Sequence, residues 1–340
     1  MVEQKLLVGI FGCKLRRSII HNHSSQELGT SCMSLKFNII NYSAELDSDL
    51  LELEKQCPQG TAIKLEMVRG RFCDRAAVFK DWRIIVAIDD ATSRVIGTQG
   101  AADVPIVIDG QEIRAGYFFD ARVHPAFRGM GVAAALNRYL SEHYLQAEGI
   151  NKFFVTTKET NAPSISNLSK LGIAHQYRFQ YLSFSTANMR ARYLPNCLYN
   201  TGFSVCDLSA DSSEELFNRY DHCTVFRTDL LYQIKIVSMP ALLRCIGMVA
   251  RPFLKMIPNK NQIIGAATVF DLKPGFEQEF VNVSQRLSVG GISYINMVGS
   301  GFVLNKLHHF LNGINIYPYL LVSNFEINEK SSVIIDVRCL

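Results

Sequence analysis

The chain has 340 residues, with 35 Lys and Arg against 31 Asp and Glu, a formal net charge of +4 and a hydrophobic fraction of 48%. So small a charge excess lays down no electrostatic footprint for nucleic acid. The apolar fraction is too high for a disordered chain, and no run approaches the roughly 18 uninterrupted apolar residues of a membrane-spanning helix.

Residues 1–34 read as an N-terminal extension. Its apolar run Leu6–Phe11 is followed, not preceded, by Lys14, Arg16 and Arg17, the wrong order for a secretory leader. His21 and His23 form a His-x-His pair with no further ligand at motif spacing, so no metal site is expected. A short strand at Lys36–Asn41 comes next, then a helix over Asp47–Gln56 and a second helix over about Thr61–Phe79 that carries Lys64, Arg69, Arg71 and Arg75. Such a basic run is either a solvated helix face or a surface for an acidic ligand. Three extended segments succeed one another: Trp82–Ile88, Val95–Ile108 closed by an Asp109-Gly110 turn, and Glu112–Val123. Gly131–Ala147 is helical, Lys152–Thr157 a strand, Pro163–Leu171 a helix and Gln176–Phe184 a strand. Three consecutive strands in mid-order exclude an alternating, doubly wound sheet.

A second part begins near Leu194. It reads as strand Phe203–Leu208, helix Ser212–Tyr220, amphipathic helix Pro240–Ile257, strand Ile263–Leu272, helix Phe276–Leu287, strand Ile292–Val298, helix Phe302–Leu311, and strands Ile314–Val322 and Val333–Val337. Arg244, Arg251 and Lys255 share one face of the amphipathic helix, which suits a domain-packing helix with a wet basic stripe or an anionic membrane surface. At an offset of about 166 residues, Phe37–Cys57 matches Phe203–Cys223 in strand, Ser-Ala turn and leucine, a hint of related folds in tandem. The nine cysteines are odd in number and widely spaced. They suit the reduced thiols of a cytoplasmic protein.

The most specific segment runs from Val123 to Leu136: a strand end, a Pro-initiated turn, Arg128-Gly129-Met130-Gly131, then an Ala-rich helix. Amides at a helix start have no internal partners and, with the helix dipole, form an anion site. Glycines there let a phosphate approach the backbone. A diphosphate is the expected guest.

This segment resembles the acetyl-CoA-binding signature of the GNAT acetyltransferase superfamily, Arg/Gln-x-x-Gly-x-Gly/Ala, in Arg128, Gly131 and Ala133. Asn161–Gly172 is similar to the second cofactor motif of that family. The resemblance covers about Phe37–Phe184. It implies a GNAT fold of the α/β (α+β) class: a central mixed, mostly antiparallel sheet flanked by helices over 35–190, followed by a divergent GNAT-like domain over 195–340. It further implies that Arg128, Gly129, Met130, Gly131, Val132 and Ala133 hold the diphosphate of acetyl-CoA, that Ala121, Arg122 and Val123 run along the pantetheine, and that Asn161 touches the pantetheine arm. Asn161 is equally a helix N-cap.

The reaction implied is acetyl transfer to a primary amine by direct attack on the thioester, in a cytoplasmic N-acetyltransferase. An amine of pKa about 10.4 must first lose a proton. Asp120 is the first choice of base, or else an ion-pair partner between strands. His124 is the second, or else a turn residue facing solvent, and Glu159 is a third. Where many members carry a Tyr as acid for the thiolate, this chain has Leu168, which leaves Ser169, Tyr177 or water. Leu168 therefore also suggests a non-catalytic acyl-CoA-binding protein, and the apolar content admits a longer acyl chain. In the second part, Val269–Glu279 keeps the strand-turn-helix order but loses the Gly-x-Gly spacing and gains Glu277 and Glu279, so it is expected to bind no cofactor. That part would shape the acceptor cleft or form a homodimer. The two-part plan is loosely similar to plant hookless-type N-acetyltransferases, around Ala250–Lys255. No segment identifies the amine acceptor.

Overall fold

Short runs of β-branched and aromatic residues, broken by Gly, Pro and Asp turns, make this a chain of strands. The computed structural model describes residues 35–60, 62–186, 215–221, 223–250, 259–270, 277–299 and 314–340. The first half contains β1 (Phe37–Asn41), α1 (Asp47–Gln56), β2 (Lys64–Val68), a 3-10 segment Phe72–Val78, β3 (Trp82–Asp89), β4 (Val95–Asp103), β5 (Ile106–Ile108), β6 (Gln111–Ile113), β7 (Gly116–Val123), α2 (Val132–Leu140), β8 (Phe153–Lys158), α3 (Ala162–Ser169) and β9 (His175–Ser185). The second half contains β10 (Phe217–Tyr220), β11 (Cys223–Phe226), β12 (Gln233–Ser238), α4 (Ala241–Ala250), β13 (Ile263–Ile264), β14 (Ala266–Phe270), α5 (Glu277–Val289), β15 (Tyr294–Gly299), β16 (Ile314–Ser323) and β17 (Val333–Ile334).

An 11-stranded sheet runs β1-β3-β4-β7-β8-β16-β9-β15-β14-β11-β10. Only β7–β8 and β14–β15 pair in parallel; the other ladders of this sheet are antiparallel. Read inward from either edge, the order is the same: antiparallel strands, then a parallel pair bridged by a helix, α2 in one half and α5 in the other. The last strands are exchanged. β16, from the second half, lies against β8, and β9, from the first half, lies against β15. β9 and β16 then pair with each other along ten residues, His175↔Ser323 to Phe184↔Ile314. The mixed, mostly antiparallel sheet and the two similar halves are as the family resemblance implied.

The helices cover both faces of the sheet. Leu50 and Leu53 of α1, Phe72 and Ala76 of the 3-10 segment and Phe79 just after it are buried in one cluster with Ile84, Val86, Tyr117 and Phe119. Burying each large side chain contributes about 1.5–3 kcal/mol. Asp47 and Asp49 in the first turn of α1, and Lys55 in its last, complement the helix dipole. On the opposite face Val132 and Leu136 of α2 are buried. A Cβ on Gly97 of β4 would stand 2.8 Å from Val132 and 3.2 Å from the Arg122 carbonyl oxygen, so only glycine lets α2 settle this close. A smaller sheet, β13-β12-β2, attaches β12 of the second half to β2 of the first.

Four expectations are corrected. Val95–Ile108 and Glu112–Val123 are not single strands: each divides, into β4 and β5 and into β6 and β7, because β5 and β6 form a hairpin that pairs with β17 in a sheet of its own. Thr61–Phe79 is not a helix: Lys64–Val68 is strand β2, and Phe72–Val78 is 3-10. The alternation of Leu65 and Met67 with Lys64 and Glu66 fits a strand once β12 supplies the partner. Within the expected helix Ser212–Tyr220, Phe217–Tyr220 is strand β10, paired in a tight ladder with β11. The repeat at an offset of 166 falls with it, because Phe217–Tyr220 would align with Leu51–Glu54 inside α1. The correspondence the topology supports pairs β9 with β16, whose first residues, His175 and Ile314, lie 139 positions apart. Residues 1–34, Phe203–Leu208, Arg251–Ile257 and Phe302–Leu311 lie outside the described residues.

Candidate active site

Beside α2 the sheet is open. β7 and β8 are paired only at Gly116↔Phe153 and Tyr117↔Phe154. Beyond that point both strands continue, to Val123 and Lys158, without a ladder between them. The result is a wedge whose walls are the β7 edge from Phe118 and the β8 edge from Val155. The stretch from Phe119 to Val123 is about 13 Å long at 3.3 Å per residue. Main-chain groups on a splayed edge need other partners, and an extended ligand carrying amides supplies them.

A bulge shapes the β7 wall. Thr98 faces Arg122 and Gly100 faces Phe119, so Gln99 alone is opposed by Asp120 and Ala121. Asp120 takes φ +50°, a left-handed conformation unfavourable for a residue with a side chain. Its buried carboxylate is fixed by Arg69 Nη1, which donates at 2.8 Å, and by Arg75 Nη1, which donates at 3.0 Å to the other oxygen. Arg69 also donates twice to buried Glu54, at 2.9 and 3.0 Å, and stacks 4.1 Å from the Phe72 ring centroid. Arg122 Nη2 reaches the same Glu54 at 3.1 Å. Arg75 continues to the Tyr117 hydroxyl, which donates at 2.8 Å to the Cys339 carbonyl, itself also an acceptor from Thr156. Three arginines against two carboxylates leave the cluster with a net charge of +1.

Burial alone would raise the Asp120 pKa, but Arg69, Arg75 and Arg122 outweigh it and hold the carboxyl well below the usual range. Asp120 is thus held in an ion pair by Arg69, just after β2, and by Arg75, in the 3-10 segment, rather than by a partner on a neighbouring strand. Both of its oxygens are engaged, and its basicity is weak. The basic residues expected on a helix face part company. Arg69 and Arg75 point inward to this cluster, whereas Arg71 pairs with Asp74 at 3.1 Å on the surface and Lys64 bonds the Gly60 carbonyl.

The loop after β7 is the expected strand-turn-helix. Pro125–Phe127 is a 3-10 turn capped by His124, whose Nδ1 accepts the Ala126 N–H at 3.2 Å. A neutral imidazole that accepts at Nδ1 carries its proton on Nε2, so His124 presents no free lone pair while it caps the turn. Arg128 Nε donates at 3.2 Å to the Val123 carbonyl, which ties the loop to the strand end. Gly129 and Gly131 have φ +80° and +86°, and a Cβ on either would meet nothing within 4 Å. Both face open space, and Met130 between them is 54% exposed. The Ala135 N–H closes the first turn of α2 on the Gly131 carbonyl, so the amides of Val132, Ala133 and Ala134 are the free first-turn donors.

Asn161 stands at the N-cap of α3, but its side chain makes no cap bond and instead donates to Thr157 Oγ1 at 3.0 Å, at the end of the β8 wall. Leu168 is buried at 3% exposure and belongs to the core. Tyr177 donates to the Ser331 carbonyl at 3.1 Å, and Glu159 pairs with Arg178 at 2.9 Å. The cluster of Glu54, Arg69, Arg75 and Asp120 left no trace in sequence spacing, because its bonded pairs are 15 to 51 positions apart along the chain. On the same face of the sheet as Tyr117, strand register sets Thr156 and Lys158 of β8, Tyr319 of β16 and Phe179 and Tyr181 of β9. Tyr232, just before β12, lies within electrostatic reach of Arg75 and Asp120, and burial raises its pKa.

Residues 49–173 match the model of the Acetyltransferase (GNAT) family. This segment is a GNAT domain. It contains the bulged strand, the wedge and the Arg128–Ala133 loop, so the chain is an N-acyltransferase that uses an acyl-CoA. No curated protein sequence matches the chain. Among solved structures, the GCN5-related glucosamine N-acetyltransferase region of a fungal multi-domain beta-N-acetylglucosaminidase superposes with TM-score 0.50 at 12% identity, over 88% of this chain and 39% of that one. Saccharomyces cerevisiae N-myristoyltransferase with bound myristoyl-CoA gives 0.47 at 10% identity, over 93% and 86%. The ribosomal-protein-S18-alanine N-acetyltransferase from Escherichia coli gives 0.32 at 14%, over 42% and 82%. At such identities the likeness concerns the fold alone. No described helix is long and apolar enough to cross a membrane.

Proposed function

We propose that this chain transfers an acetyl group from acetyl-CoA to a primary amine by direct attack of the amine on the thioester. The observation that carries the reading is the wedge between β7 and β8, whose mouth opens onto the exposed glycine loop at the start of α2. In this proposal the amides of Arg128, Gly129, Met130, Gly131, Val132 and Ala133 hold the diphosphate, where the helix dipole favours negative charge. The pantetheine lies along Ala121, Arg122 and Val123, and Asn161 borders it from the β8 side. Asp120 fixes the bulge through Arg69 and Arg75, and His124 caps the turn. The proton of the amine leaves through water in the wedge. A cytoplasmic location accords with the unpaired thiols of Cys57, Cys73 and Cys245 among the described residues. The division into a GNAT unit over 35–190 and a second unit over 195–340 that binds no cofactor is part of the same proposal.

Calorimetry with acetyl-CoA tests it. Micromolar binding is expected, and it is lost in Arg128→Glu and in Gly131→Glu, which set a carboxylate where phosphate would lie. No detectable binding of CoA by the intact protein would sink the reading. A second reading, binding without turnover, is favoured by the burial of Leu168, which leaves α3 no acid for the thiolate. Thiol release from acetyl-CoA over a panel of amines separates the two, and acyl-CoAs of increasing chain length in the same assay fix the acyl group.

A further inference from the structure

Lys158 closes the β8 wall of the wedge. Its Cα partner on the other side is Tyr319 of β16, and its ammonium sits 5.2 Å from the Tyr317 ring centroid. The side chain is half-buried, and no carboxylate reaches it among the described residues. Charged neighbours are already committed elsewhere: Glu159, next in sequence, pairs with Arg178, and across the wedge Arg122 pairs with Glu54. The groups packed against Lys158 from β16 are the phenols of Tyr317 and Tyr319, neutral at pH 7 because the phenol pKa is near 10 and is raised further here. A half-buried ammonium without a counterion is costly, and burial lowers its pKa. Such a group is stabilised when an anion forms beside it.

Register shows where that anion would form. Tyr117 faces Phe154, so counting along both strands puts Lys158 level with the Asp120–Ala121 bulge. The wedge is shut about four residues deeper, at Tyr117 and Phe154, and a pantetheine lying along Val123, Arg122 and Ala121 from the Arg128–Ala133 loop would bring its sulfur end to the level of Lys158. We propose that Lys158 faces the sulfur of the acyl-CoA and donates the proton that the departing thiolate needs, the role that Leu168 cannot fill. The inference rests on the acyl-transfer reading above. In the step, the amine nitrogen bonds the carbonyl carbon, the C–S bond breaks with its electron pair on sulfur, and the Lys158 Nζ–H protonates that sulfur. The proton released by the acylated nitrogen passes through water back to Lys158, so the products are amide and CoA thiol.

The test uses the full chain and CoA itself, by following the ultraviolet absorbance of the bound thiolate against pH. An adjacent cation lowers the pKa of the bound thiol. Lys158→Met should return it upward by about one pH unit or more, a tenfold change in ionisation, while Lys158→Arg keeps it low. Desulfo-CoA, which lacks the sulfur, should bind wild type and Lys158→Met alike. An unchanged thiol titration in Lys158→Met, or equal weakening of CoA and desulfo-CoA, overturns the assignment and leaves Lys158 a contact to the arm. Failure of wild type to bind CoA at all removes the acyl-transfer reading and this inference together, whereas binding with an unperturbed thiol removes this inference alone.

Discussion

Asp120 carries an unfavourable backbone angle and a buried charge, and both are tolerated because two guanidinium groups hold its two oxygens. Asp120→Asn leaves Arg69 and Arg75 beside a neutral group, and loss of one partner of a buried pair costs about 3–5 kcal/mol. Urea unfolding should show that loss at pH 7. The acid dependence follows from the depressed pKa. The contribution of Asp120 is complete above about pH 4, its unfolded value, and is lost as pH falls toward the folded one. The variant should therefore lose stability less steeply below pH 4, and identical acid slopes in the two proteins would contradict the pairing. Asp120 was visible in the sequence as a charge on an apolar strand. Its partners were not, since nothing in the order of residues brings Arg69 and Arg75 to it.

Among the elements, α2 and its loop were the most legible. Their signal is local: Pro after the strand, glycines where φ is positive, then alanines. Strand β2 is not legible in the sequence because its partner β12 lies more than 160 positions away, and a short amphipathic run takes its conformation from the strand it meets. The packing of α2 yields a prediction distant from any ligand. Gly97→Ala puts a methyl 2.8 Å from Val132 and should lift the start of α2 off β4. Overpacking of this kind costs about 1–3 kcal/mol. CoA affinity should drop with it in calorimetry, although Gly97 lies beneath the helix and not on the loop. Unaltered affinity would mean that the loop holds its shape without help from the sheet.

In the whole molecule, exchange of β9 and β16 makes the halves interdependent. Residues 35–190 alone would lack β16, so the inner edge of β8 and both edges of β9 would stand bare in what is otherwise the middle of the sheet. We expect that fragment to aggregate or to unfold without a cooperative transition, and co-expression with residues 195–340 to restore a soluble complex. Cooperative unfolding of the isolated fragment, by circular dichroism against urea, would show that the first half closes its sheet by other means.

By itself the sequence determined what depends on neighbours in the chain: the strand-turn-helix loop with its exposed amides, the helix that starts at Asn161 and the GNAT resemblance of the first half. Tertiary structure decided whatever depends on partners far along the chain. Only the fold set Arg69 and Arg75 on Asp120, turned Lys64–Val68 into a strand, buried Leu168 and passed β16 between β8 and β9. The physical reason is range. Backbone conformation at a glycine or a proline is fixed by local sterics. Strand pairing and buried charge pairs draw their free energy from contacts between residues that the order of the chain leaves far apart.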